Sequence, residues 1–545
     1  MYIAPNSTIR FLRNVRLEPD YINTIYFAST TSQANYFIGK TKYTLNAQTY
    51  QRVNKGVCRV NYKAEDLYDC NYMMFQNTSF GSKWFYAFVT SVDYVNNVTA
   101  DVHYEIDVMQ TWLKDMTFSM CFVEREHSGS DEIGDNIVPE PLEIGEMVFN
   151  SYGKLTNDLD NMAIAVMVVD VEDATSQGTT IDGIYSGAKV KAFGNTSTGV
   201  SNLNNYIESF AQKPDAIVAI YMIPAKSLGN HSQSELDAGI TTVFSAECED
   251  YDYDNLTPLS PTDTIDGHIV RNKKLFTYPY NFYHIDNANG RELNLRYEFF
   301  TTNLGVRNLK PQFKMFSNLS MPVTVVLRPK NYKGVKSNDY LKTESIDLTG
   351  YPMCSWNVDS WKAWVAQNSI PEAMSAYTGF LGVGAGAAGI AVAATGGTAA
   401  LAVAGVGIAA GAIALVSGKL SEMYKASIKA DICKGSLNNA NINVASKIQT
   451  FFAGRVSINN QTAKIIDDFF DRFGYATNEL KVPNITSRTS WNYVKTIGSN
   501  VDGNIPADDK IIIDKNFDKG ITFWHNGDNI DNYSLNNAPV APVTP

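Results

Sequence analysis

The chain of 545 residues is 44% hydrophobic and 19% charged, which excludes a disordered polypeptide and leaves room for several cores. Its formal net charge of −11 excludes a protein that grips nucleic acid by releasing counterions from phosphate, but suits a wall past which nucleic acid slides. The six cysteines, Cys58, Cys70, Cys121, Cys248, Cys354 and Cys433, show no CxxC spacing; they read as reduced thiols of a chain made in a reducing cytosol, without a zinc site. Met1 to Arg10 has no basic-then-apolar leader, so export by a signal peptide is not expected.

Residues 1–126 read as a first β domain. Tyr21 to Thr30 and Tyr72 to Phe75 are aromatic-rich strand candidates, and Lys83 to Thr90 leads to a turn at Asn96-Asn97 and a second strand from Ala100 to Val108. A hairpin on the wall of a barrel is the natural reading. On that alternating strand His103, Glu105 and Asp107 share one face, which reads as solvated or interfacial and not as a metal site.

Residues 127–272 change character and read as an inserted α+β domain. Apolar strands at Ala163 to Asp170 and Ala216 to Pro224 flank a predicted helix at Asn202 to Gln212. The acidic patch Glu247, Glu249, Asp250, Asp252 and Asp254 lacks the EF-hand pattern, having Asn255 where Gly is required and Pro261 where Glu is, so it reads as a plain acidic loop. Residues 273–355 return to strands, with a hairpin turn at Asn287 to Gly290 between Tyr278 to His284 and Leu293 to Phe300.

Residues 356–436 hold the most unusual stretch. A helix is predicted from Trp356 to Tyr377 and another from Lys419 to Cys433; between them Ala373 to Gly418 runs for 46 residues without an acid, base, amide or proline, and 27 of these are Gly or Ala. Thr395-Gly396-Gly397-Thr398 divides the run into arms Gly379 to Ala394 and Ala399 to Ser417, since a glycine pair inside a helix costs roughly 1 kcal/mol per residue. As helices the arms would each be roughly 24–29 Å long, close to the ~30 Å apolar thickness of a bilayer. Trp361, Trp364 and Tyr377 before the first arm, and Lys419, Tyr424, Lys425 and Lys429 after the run, fit interfacial anchors. Gly382 with Gly386 and Gly407 with Gly411 would let two helices approach closely. The large apolar side chains are few: Phe380, Leu381, Val383, Ile390, Val392, Leu401, Val403, Val406, Ile408, Ile413, Leu415 and Val416. Insertion into lipid is therefore expected to be conditional, the segment being stored in one state and inserted in another. A buried helical hairpin, a linker and a constitutive anchor are the alternatives.

Two nucleotide motifs inside the run fail. Gly384 to Gly389 matches G-x-G-x-x-G, but the first acid that could hold a ribose is Glu422; Gly411 to Lys419 lacks the first P-loop glycine and has Leu420 in place of the magnesium-binding hydroxyl. Residues 437–545 then supply an Asn-rich link at Leu437 to Asn443, a helix at Gln461 to Phe473, a strand at Lys519 to His525 and a Pro/Ala/Val tail expected to be disordered. No G-x-S-x-G elbow, H-E-x-x-H helix or local Cys-His pattern occurs, so no catalytic, cofactor or metal residues are assigned and the chain is not expected to be an enzyme. Carboxylate pairing for sugar cleavage is spatial, and sequence spacing leaves it open.

Taken together, Tyr72 to Asn77, Lys83 to Thr90, Val102 to Trp112 and Phe122 to His127 resemble the N-terminal signature of the distal tail knob proteins of short-tailed phages of the phi29 type. Gly474-Tyr475, Trp491 to Lys495 and Gly520 to Ser534 resemble the C-terminal one, and Tyr278 to Tyr280 and the Gly/Ala run occur in the same order. The resemblance leaves about 127–270 unmatched, and the Ala/Val repeats of the run depart from the family's Gly/Ser/Met-rich loops. It implies a mainly β fold with α, having barrel-like tube domains completed by residues 437–545, and a homo-hexamer at the distal end of the virion tail that contacts other tail proteins. It further implies that hydrophobic loops plug the tube, then enter the host membrane and form a channel through which viral DNA passes without sequence-specific binding. That role falls on Gly379 to Ser417, with Gly379, Gly396 and Gly397 joining the large apolar residues above as membrane-inserting positions. A tail-associated receptor-binding or cell-wall-degrading protein is the alternative.

Overall fold

In the computed structural model the described residues are 6–48, 52–54, 56–168, 180–181, 184–185, 189–210, 217–242, 251–253, 259–300, 310–317, 323–332, 344–351, 353–356, 435–438 and 449–540. The chain packs as two units of non-contiguous segments. Met1–Gly145, Gly267–Thr277 and Asn460–Pro545 form the first, and Glu146–Asp266 and Tyr278–Asn459 the second.

The first unit begins with β1 (Ser7–Leu12), β2 (Asn23–Ile25), α1 (Thr30–Gly39), β3 (Thr41–Gln48), β4 (Arg52–Asn54), β5 (Val57–Val60), α2 (Ala64–Leu67), β6 (Tyr72–Gln76), β7 (Phe85–Asn96) and β8 (Thr99–Ile106). They are followed by α3 (Val108–Trp112), β9 (Met116–Phe118) and β10 (Cys121–Glu126). Seven strands form one sheet in the order β3-β1-β6-β7-β8-β5-β4. At its centre both faces are buried, because β6 and the first half of β7 alternate large apolar residues in register: Tyr72 pairs with Phe88, Met73 with Ala87 and Met74 with Tyr86. Met73 and Ala87 face a core with Phe11, Val102 and the α2 residues Ala64 and Leu67. Tyr72, Met74, Tyr86 and Phe88 face a second core that C-terminal residues complete.

The β7–β8 hairpin follows the predicted strands, with its turn at residues 97–98. Among the described residues no pairing joins β3 to β4. Two expectations for this region need correction. Only Asn23–Ile25 of the expected strand Tyr21 to Thr30 pairs as a strand; Ser29 instead caps α1 by accepting a hydrogen bond from Ser32 N. Asp107 does not share the face of His103 and Glu105, because β8 ends at Ile106 and Asp107 becomes the buried N-cap of α3.

The second unit contains β11 (Met147–Lys154), β12 (Met162–Val168), β13 (Thr180–Ile181), β14 (Ile184–Tyr185), β15 (Lys189–Gly194), α4 (Ser197–Glu208), β16 (Ile217–Pro224), α5 (Gln233–Ala238), β17 (Ile240–Thr242), β18 (Tyr251–Tyr253) and β19 (Thr264–Ile265). In the return segment of the first unit lies β20 (His268–Ile269); the second unit resumes with β21 (Asn281–Asp286), β22 (Glu292–Arg296), β23 (Phe313–Ser317), β24 (Val325–Pro329), β25 (Ile346–Leu348), β26 (Met353–Trp356), β27 (Gly435–Asn438) and β28 (Phe452–Ile458). Its larger sheets run β17-β15-β12-β16-β26-β27, β11-β28-β21-β22 and β18-β23-β24-β25. The strands β12 and β16 match the predicted ones. The helix α4 starts earlier than predicted, because Thr196 caps Gly199 N at 3.1 Å and Val200, Leu203 and Ile207 form its buried stripe. Leu437 and Asn438, expected in a polar link, belong to β27, where Leu437 pairs with Cys354.

The chain re-enters the first unit with α6 (Asn460–Phe473), β29 (Tyr475–Lys481), β30 (Trp491–Ile497), β31 (Val501–Gly503), α7 (Ala507–Lys519) and β32 (Ile521–Trp524). A five-stranded sheet, β2-β32-β30-β10-β29, joins both ends of the chain, and β2 runs parallel to β32. Trp491, Val494, Phe523 and Trp524 from this sheet, with Ile513 and Phe517 of α7, complete the second core. The terminal tail is pinned in part: Val540 N donates to Ser487 O at 2.8 Å and Thr489 N to Ala538 O at 3.1 Å, while 541–545 lie outside the described residues.

The packing therefore divides the chain differently from the sequence reading. Residues 452–458, expected in a C-terminal tube segment, form β28 between β11 and β21, which ties the expected insertion and the expected second tube segment into one unit. Residues 127–145 and 267–272, also expected in the insertion, belong to the first unit.

Candidate functional site: a buried charge network around the return segment

The fifteen residues predicted to enter membranes, Gly379 through Val416, lie outside the described residues, as do the flanking helices, except that Trp356, expected to open the first helix, is the last residue of β26. Among the described residues no helix is long and apolar enough to cross a membrane, and no His/Cys/Asp/Glu cluster could hold a metal ion. The densest polar constellation lies where the chain returns briefly to the first unit, at residues 267–277.

Its centre is Asp467 on α6. That helix buries Ala463, Ile466, Asp467 and Phe470, so a carboxylate occupies the apolar stripe. Asp467 is fully buried, and its oxygens accept from His268 Nε2 at 2.8 Å, Arg271 N at 3.0 Å, Asn272 N at 3.0 Å and Asn272 Nδ2 at 2.8 Å. Four donors on one carboxylate, two of them backbone amides, fix the backbone of the return segment as well as its side chains. One turn on, Asp471 Oδ1 accepts from Asn272 Nδ2 at 2.6 Å and its Oδ2 lies 2.9 Å from Arg271 Nη2. Burial pushes Asp471 up to about 6, against the pull of Asn272 and Arg271.

A second carboxylate does the same for Lys274. Glu140 Oε1 accepts from Lys274 Nζ at 2.5 Å and from Ala476 N at 2.8 Å, and its other oxygen meets the Arg125 guanidinium. Arg125 in turn donates to Gly474 O at 2.8 Å and lies over the Phe469 ring. Burial pushes the Lys274 ammonium below its usual range, against the attraction of Glu140. The Tyr475 hydroxyl donates to Asp131, itself held above the usual carboxylate range by burial.

His127 closes the network with a defined tautomer. Its Nδ1 accepts from Tyr493 N at 2.7 Å, which requires a lone pair there, so Nε2 carries the proton and donates to Asp471 O at 3.0 Å. Burial pushes it down to about 3, so it is neutral at pH 7. Gly474 sits beside it at φ +63°, where an added Cβ would meet Glu126 O at 2.3 Å and His127 N at 2.6 Å.

The network's donors and acceptors are turned inward on one another, so the arrangement works as a clamp. It holds residues 268–274 against segments at 125–140 and 467–476 that are distant in sequence. The sequence reading missed it, although the acid at position 467 of an otherwise apolar helical stripe was a legible signal.

A family model described as the C-terminal domain of the tail knob protein gp9 of Bacillus phage phi29 matches residues 244–538, and one described as the caudoviral major tail protein N-terminus matches residues 5–117. The tail knob protein gp9 of Bacillus phage PZA is 28% identical over 605 aligned residues, covering 98% of this chain and 99% of that protein; the one from phi29 is 27% identical with the same coverage. Among solved structures, the tail knob protein gp12 of bacteriophage C1 shares the fold with a TM-score of 0.57 at 15% identity, covering 98% of this chain and 100% of that one. With more than half of its length matched by the phi29 knob model and nearly all of it aligned to knob proteins, the chain belongs to the phi29-type family of phage tail knob proteins, structural components of the virion tail.

Proposed function

We propose that the protein assembles as a homo-hexameric tube at the distal end of the tail, attached to other tail proteins after synthesis in the host cytoplasm. Its hydrophobic loops plug the tube, then enter the host membrane and form the channel through which the genome leaves. The observation that carries this reading is the run Ala373 to Gly418, 46 residues without a charge, amide or proline in a chain of the tail knob family. A segment with so little polar character and so few large side chains suits lipid better than a water-exposed loop and better than a core. The net charge of −11 agrees with a conduit that does not adhere to DNA.

The test is deletion of Gly379 to Ser417, with the arms joined by a short polar linker. The deleted protein is expected to keep the native mass of six subunits and to lose dye release from liposomes. A deleted protein that misfolds would place the run in a core, and a monomeric parent at micromolar concentration would remove the tube.

A further inference from the structure

The sequence contains two Asn-Gly pairs, Asn289-Gly290 and Asn526-Gly527, and the fold treats them oppositely. The first lies in the turn of the β21–β22 hairpin, between the paired residues Asp286 and Glu292. Asn287, 3% exposed, organises that turn: its Oδ1 accepts from Asn289 N at 2.9 Å and from Arg291 N at 3.1 Å, and its Nδ2 donates to Asp347 O at 2.9 Å. Asn287 N donates to Arg291 O at 3.2 Å and Ala288 N to Asp286 Oδ1 at 2.9 Å. The Gly290 amide is thus left over, and neither it nor the Asn289 carboxamide has a hydrogen-bond partner among the described residues. Both residues are exposed, and a Cβ on Gly290, at φ +82°, would meet nothing within 4 Å. Asn526-Gly527 has the same chemistry without the freedom. Asn526 Oδ1 accepts from Asp528 N at 3.0 Å, Gly527 is buried, and a Cβ there would run into Tyr36 Oη and Ile25 Cδ1.

We propose that Asn289 is a site of spontaneous covalent modification, at which the side chain reacts with its own backbone. The Gly290 nitrogen forms a bond to Asn289 Cγ, the Cγ–Nδ2 bond breaks, and the amide proton leaves with the departing nitrogen as ammonia. Water then opens the succinimide ring. Attack at Cγ leaves isoaspartate or aspartate according to which ring C–N bond breaks: cleavage beside the side-chain carbonyl gives an aspartate at position 289, and cleavage beside the main-chain carbonyl gives isoaspartate, through whose side chain the backbone then runs. The net change exchanges ammonia for water and adds one carboxylate to the second unit, two residues from Arg291, whose guanidinium already meets Asp347. Ring closure needs a backbone nitrogen free to lose its proton and a side chain free to swing over it. The hairpin turn supplies both, whereas the packing of Gly527 withholds them until that segment opens locally. The proposal does not depend on the membrane reading.

The test holds the full chain in mildly alkaline buffer, folded or in urea, and then digests it with trypsin in heavy-oxygen water, so that changes made during digestion carry the label. Residues 275–291 and 520–545 leave as separate peptides, and fragmentation in the mass spectrometer localises each change within them. In the folded protein Asn289 is expected to convert roughly tenfold faster than Asn526, and in urea the two should convert at similar rates, because unfolding removes the packing around Gly527. The folded parent should also accumulate a more acidic species on charge separation of the intact chain, which Asn289→Gln should not form. Equal rates at the two sites in the folded protein, conversion at Asn281 or Asn287 in place of Asn289, or an Asn289 that converts in urea but not when folded, each overturns the proposal.

Discussion

Gly474 and His127 show how much single positions carry in the first unit. At φ +63° a side chain on residue 474 would run into backbone atoms of Glu126 and His127, which have no rotamer by which to yield. Gly474→Ala is expected to cost at least ~2 kcal/mol, read as a lower urea midpoint of Trp491 and Trp524 fluorescence. An unchanged midpoint would contradict the close approach. His127 makes the stability of this unit depend on pH. Its folded value, about 3, lies below the ordinary 6.5, so the unfolded chain takes up the proton first; its contribution is complete above pH 6.5 and is lost as the pH falls toward 3. Asp471 and Asp107, both raised by burial from 3.8 to about 6, act oppositely: the folded state binds their protons first, and acidification from pH 6 to 4 relieves their burial. His127→Gln should therefore be less stable than the parent at pH 7 but lose less between pH 6.5 and 4. Parallel pH profiles for the two proteins would show that the buried imidazole does not set the slope.

At the scale of elements, α6 holds the return segment through one side chain. Asp467→Ala would leave two backbone amides and His268 without their buried acceptor, and breaking a buried charged constellation costs about 3–5 kcal/mol. Arg271 and Lys273 are roughly half exposed as side chains, so access of trypsin depends on whether their backbone is held. We expect the parent to resist trypsin between Arg271 and Lys274 and Asp467→Ala to be cut there under the same conditions. Equal resistance would mean that the segment is held by its remaining contacts alone.

At the scale of the whole molecule the predictions concern the apolar run. Gly and Ala contribute little to transfer into lipid, whereas Asp or Lys at a helix centre costs about 2.5–3.5 kcal/mol, on the order of a hundredfold in the insertion equilibrium. Ile390→Asp and Ile408→Lys are expected to assemble as the parent does and to release far less dye from liposomes. Asn441→Asp, outside the run, should behave as the parent. If both charged variants permeabilise liposomes normally, lipid is contacted by another part of the chain.

What the sequence determined by itself was local or compositional. The β7–β8 and β21–β22 hairpins, the strands β12 and β16, and the helix α6 were legible because alternation, apolar stripes and turn chemistry act over a few residues. Family membership was legible too, through motifs near both ends. Tertiary structure alone decided which distant segments share a sheet: β2 lies parallel to β32, where Trp524 Nε1 donates to Asn23 Oδ1 across 501 positions. It also decided that β28 lies between β11 and β21, and that Asp107 and Asp467 leave water while the like-patterned Glu105 does not. The reason is physical. A local pattern states that a face must be covered or a carboxylate satisfied, but the covering strand and the donors come from remote parts of the chain, whose position depends on all the packing between.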